Sequence, residues 1–131
     1  MMRQKLDEYL EENGIEAQCD DNDVVFSINR LNYVCRFFSD DPYYIQIMLP
    51  HIDQKSAHEV RDIIADINRR FKVAKIIEVD DNPWIVADCF VYSIDKGKLL
   101  IGRMVRVLTD VYEEYRQLTS ETEILEGGQQ E

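Results

Sequence analysis

Ser56 to Lys72 reads SAHEVRDIIADINRRFK, and this stretch decides the fold. Val60, Ile63, Ile64, Ile67 and Phe71 recur at helical spacing and line one apolar stripe. Ser56 and Glu59 stand at the capping-box spacing, which satisfies backbone donors where a helix starts. Arg69, Arg70 and Lys72 crowd the last turn, where cations meet the negative end of the helix dipole. A helix over residues 56–72 is therefore expected to pack this stripe into the core. Strand-like segments flank it on both sides.

Upstream, Asp20 to Asp23 and Asn29 to Asn32 are polar turns, and Ser39 to Pro42 is a third. Between and after them lie VVFSIN, YVCRFF and YYIQIML, in which apolar and polar residues alternate with a period of two. That pattern predicts a three-stranded antiparallel meander closed by Pro50. Ile15, Ala17 and Cys19 also alternate with polar neighbours, and read equally as a strand or as a lead-in to one. Downstream, residues 73–79 form a strand, Asp80 to Pro83 a turn, and residues 84–92 a last strand. Ile85, Ala87, Cys89 and Val91 fill one side of that last strand; Trp84, Val86, Phe90 and Tyr92 fill the other, interrupted by Asp88. A strand apolar on both sides expects cover on both.

The ends are helical. Met2, Leu6, Tyr9 and Leu10 share one face of a helix that stops at Gly14, suited to the left-handed closing position, with Ile15 packing back on Leu10. Ile101, Met104, Val105, Leu108, Val111, Tyr112 and Tyr115 stripe a final helix over residues 99–119. Gly102 within it is either tolerated or marks a close helix contact. The predicted class is α+β in the order α-β-β-β-α-β-β-α. A single domain spans residues 1–119, followed by a flexible acidic tail over 120–131.

A net charge of -11 opposes binding to a phosphate backbone, so no nucleic-acid partner is expected. The charged N-terminus has no apolar signal region, and no apolar run nears the ~20 residues of a membrane span. Cys19, Cys35 and Cys89 lack C-x-x-C spacing and read as free thiols buried in strands. A soluble cytoplasmic protein follows from these features.

The acidic turn beginning at Asp20 puts Val25 at the sixth position and Leu31 at the twelfth of a calcium loop, where glycine and glutamate belong, so it is a solvated turn. His51 and His58 lack further ligands at recognisable spacing, and no phosphate-binding glycine loop exists. No cofactor, metal or catalytic set is expected. Asp88 on an apolar strand needs a donor, for which Arg36 and Gln46 are candidates. A pocket lined by Asp88, Arg36 or His58 and by tyrosines would be the enzyme or small-ligand alternative. Lys96, Lys98, Arg103 and Arg106 near the start of the last helix read as a solvated face, with a partner surface as the other reading.

In element order the chain resembles the type III secretion chaperone-like fold and, within it, the YbjN-like bacterial family, described as candidate sensory transduction regulators. The resemblance rests on the turn into VVFSIN, the YYIQIMLP strand before the capped helix, and the VDDNPWIVADCFV hairpin. It implies a bacterial, non-catalytic protein-binding module, chaperone-like or regulatory, that dimerises and holds a partner protein segment. The two-sided strand supplies a candidate homodimer interface at Trp84, Val86, Phe90 and Tyr92.

Overall fold

The structure, a computed structural model, describes residues 2–91 and 93–129, with side-chain surroundings to residue 125. The helices are α1 (Met2–Glu12), α2 (Arg61–Arg70) and α3 (Gly97–Gln129). The strands are β1 (Ala17–Asp20), β2 (Asp23–Ile28), β3 (Leu31–Phe38), β4 (Asp41–Leu49), β5 (Ala74–Val79) and β6 (Asn82–Phe90). A 3-10 turn over Ile94–Lys96 leads into α3.

All six strands form one antiparallel sheet in the order β1-β2-β3-β4-β6-β5. The α+β class holds, with one strand more than expected. The segment left open at Ile15 to Cys19 contributes β1, a four-residue edge strand exposed along its whole length. Two-residue turns set the hairpin registers. Asn29 and Arg30 both have positive φ, as do Asp80 and Asp81, which is the backbone sense that matches the twist of paired strands. After β4 the chain crosses over through α2 to β5, and β6 returns to fill the place between β4 and β5.

The helix over residues 56–72 is shorter than its sequence suggested. Ser56 Oγ does accept the Glu59 N–H at 3.2 Å, but that bond closes a separate turn, and α2 starts only at Arg61. Val60 and Ile67 are buried, whereas Ile63, Ile64 and Phe71 are half-buried against the core. Past α2, Val73 adopts φ 74° while the Ala74 N–H bonds the Lys72 carbonyl at 2.8 Å, a tight γ-type turn that delays β5 by one residue. Asn68, facing back from α2, donates to the Ile76 carbonyl at 2.9 Å and accepts the Ile76 N–H at 2.7 Å. Its amide thus occupies the outer edge of β5 as a neighbouring strand would.

α1 ends as expected. Gly14 has φ 65°, Ile15 N–H bonds the Leu10 carbonyl at 2.8 Å, and Gly14 N–H bonds Glu11 at 3.1 Å, the paired bonds of a Schellman stop. Gly102 marks a helix contact: a Cβ there would sit 3.4 Å from the Tyr9 ring of α1. α3 runs past Thr119, where its apolar stripe ends, to Gln129. The helix continues through exposed Ile124 and Leu125 and also through Gly127 and Gly128, against the low helix propensity of glycine.

Of the three free cysteines, Cys35 is buried, Cys89 half-buried and Cys19 exposed, so the expectation of burial fails for Cys19 on the edge strand. Burial pushes the thiols of Cys35 and Cys89 above their ordinary value. It also raises the phenols of Tyr9, Tyr33 and Tyr115, and moves Tyr44 to about 12 with help from its hydrogen bond to Asp88. Each of these groups is favoured neutral in the fold. Their contribution is complete below the unfolded-state values of 9.0 for cysteine and 10.0 for tyrosine, and is lost as pH rises toward the folded values. Urea midpoints measured from pH 8 to pH 12 should therefore hold level to about pH 9 and fall steadily above it. A flat profile to pH 12 would contradict the assigned burial.

Candidate functional site: the uncovered face of the sheet

Alternation divides the sheet into two faces. Val24, Phe26, Tyr33, Cys35, Ile45, Ile47, Ile85 and Ala87 are buried on the side that carries the helices. Contacts from α1 and α3 reach this side: Tyr33 meets Thr109, Cys89 meets Met104, and the Arg3 guanidinium reaches Cys19 and lies over Phe37.

The opposite face carries two rows that cross the strands. Register places Val25 opposite Val34, Val34 opposite Met48, and Met48 opposite Val86. This apolar row is low: Met48 is 4% and Val86 9% exposed, so they form a floor beneath taller neighbours. At its β1–β3 end the floor opens into a depression of about 580 Å³ lined by Val25, Val34, Asn32 and Pro50 among others. Beside it runs a polar row in which Asp23 faces Arg36, Arg36 faces Gln46, and Gln46 faces Asp88.

Within that row the predicted Asp88–Arg36 pair does not form. Arg36 is held by Asp23 through bonds of 2.9 and 3.1 Å, which raise the guanidinium pKa further. Asp88 instead accepts the Tyr44 hydroxyl at 2.7 Å from the diagonal position on β4. Gln46 faces Asp88 in register, but no hydrogen bond joins them. His58 lies outside this row, in the turn before α2, where Arg61 bonds its ring and its carbonyl. The small-ligand alternative thus loses its convergent groups. Among the described residues no cluster of three or more His, Cys, Asp or Glu is placed to hold a metal.

Of the four candidate interface residues, three are placed. Trp84 is half-buried with its ring edge to His51, centroids 4.9 Å apart, and its Nε1 donor has no acceptor among the described residues. Val86 belongs to the floor. Phe90, at the end of β6, is 66% exposed and packs one side against Tyr44. Tyr92 lies outside the described residues. Phe90 also meets part of the basic cluster noted at the start of the last helix. Phe90, Val91, Leu99 and Leu100 line a groove of about 370 Å³ between the end of β6 and the start of α3, with Lys96 and Arg103 among its walls.

No protein-family model matches the chain, and no curated protein sequence matches it. Among solved structures it is similar to the crystal structure of YbjN from E. coli, described there as a candidate transcription regulator. The TM-score is 0.61 at 11% identity, over 88% of this chain and 92% of that one. The fold is YbjN-like. This agrees with the YbjN side of the resemblance read from the sequence and adds nothing to its secretion-chaperone side. No helix among the described residues is long and apolar enough to cross a membrane.

Proposed function

We propose that the chain is a non-catalytic protein-binding module, regulatory or chaperone-like, that works as a homodimer and holds a segment of a partner protein. The observation that carries this reading is the sheet face opposite the buried one, where half-buried Val25 and Val34 line an open depression of about 580 Å³ beside the buried Met48 and Val86. Apolar surface of this kind on a soluble chain is commonly covered by protein. Three free thiols suit a reducing cytoplasm. A homodimer contact at Phe90, the most exposed aromatic of β6, leaves the depression at Val25 and Val34 free for the partner segment.

Light scattering on a sizing column at micromolar concentration should give twice the 15.5 kDa of one chain. Phe90→Asp should weaken the dimer about tenfold or more, the scale of losing a well-packed aromatic contact. A mass near 15.5 kDa for the native chain would overturn the homodimer.

A further inference from the structure

The groove beside Phe90 is unusual for this chain in its charge. Against a net charge of -11, its walls carry Lys96 and Arg103, neither of which makes an ion pair among the described residues. Its apolar walls are open as well, with Phe90 at 66% and Leu99 at 55% exposed. The other end of α3 has the complementary character. Ile124 and Leu125 are 73% and 68% exposed and stand beside Glu121, while Glu123 pairs with Lys55 at 2.9 Å.

A basic apolar groove and an acidic apolar helix end suit each other, yet one chain cannot bring its own together. Both lie on the same rigid helix, about 37 Å apart at ~1.5 Å per residue over residues 99–124. They can meet only between two copies. At 3.6 residues per turn, Leu99, Arg103, Arg106, Asp110, Glu113 and Ile124 fall within about 80° of arc on α3. All six are exposed. Along this stripe the first half is basic and the second half acidic.

We infer that two copies pair through antiparallel α3 helices, each placing its Ile124 end at the Phe90–Leu99 groove of the other. In the register that sets Arg103 opposite Glu113 of the second copy, Arg106 falls opposite Asp110. Both pairs are centred at the level of Leu108, so a single two-fold axis satisfies them twice over. In the same register Ile124 projects about 8 Å past the first residue of α3, at the end of the helix where the groove lies. The internal Arg106–Asp110 contact, 3.6 Å long and exposed, is weak enough to exchange for this pairing. Antiparallel helix dipoles add to the attraction. This inference rests on the homodimer reading and names its contact; the sheet face stays free for the partner segment.

Two charge-reversed variants test it. R103E/R106E carries acidic groups throughout the stripe, and D110K/E113K carries basic groups throughout. Each alone should be at least about tenfold weaker as a dimer than the native chain, the scale of an interfacial charge pair. Mixed one to one, every facing pair is again opposite in sign, and a heterodimer of near-native affinity should form. Either variant dimerising alone with native affinity would overturn the α3 pairing, and so would failure of the mixture to associate. If the native chain is a dimer and Phe90→Asp dissociates it while both reversals leave it intact, the homodimer reading stands and the α3 contact alone is wrong. A monomeric native chain removes both.

Discussion

Ile67→Ala should lower the unfolding free energy by about 2–5 kcal/mol, the cost of a cavity in a packed core. Ile67 is fully buried at the centre of α2, where that helix lies between α3 and β5. Ile64 belongs to the same sequence stripe but is half-buried, and Ile64→Ala should cost about 1–2 kcal/mol. Urea denaturation of the two variants, followed by circular dichroism, checks both the size and the order. Equal losses would mean that α2 is rotated from the position described.

Tyr115→Ala should be at least as damaging, about 3–5 kcal/mol, because it removes a fully buried aromatic ring from the contact between α3 and the rest of the core. Its hydroxyl also donates to Asp53 Oδ2 at 2.7 Å, while Asp53 Oδ1 accepts the Lys55 N–H at 3.1 Å. The tyrosine therefore fastens the segment between β4 and α2 onto α3. Tyr115→Phe keeps the ring and loses only this bond, for an expected cost of about 1–2 kcal/mol. A phenylalanine variant as unstable as the alanine variant would assign most of the stabilisation to the polar link.

What the sequence made legible was whatever leaves a periodic trace. The α1 stop at Gly14, the buried stripe of α3 and the alternation of β2, β3, β4 and β6 all depend on regular burial, and all appear where that regularity places them. β1 is exposed at every position, so burial imposed no pattern on it, and only its hydrogen bonds to β2 define it. The capping box misplaced the start of α2 because its bonds are satisfied equally well by a single turn. Arg36 could have been assigned its true partner. Once Asn29 and Arg30 are read as a two-residue turn, Ile28 faces Leu31, and counting outward sets Asp23 opposite Arg36. The bond from Tyr44 to Asp88 joins strands that are separated in sequence by α2 and β5, and no local signal fixes that register.

The Asn68 amide blunts one edge of the sheet at Ile76, inside β5. Backbone N–H and C=O groups left unpaired along an edge are the usual seeds of fibres, since each added strand presents a fresh edge to the next. Here one margin is already stoppered by a side chain of the same molecule. The opposite margin is β1, four residues long and ending at Asp20. Two copies meeting there would consume both open margins and leave a stoppered margin at each outer end. Strand addition across the middle of β5 would first require α2 to release Asn68 from Ile76.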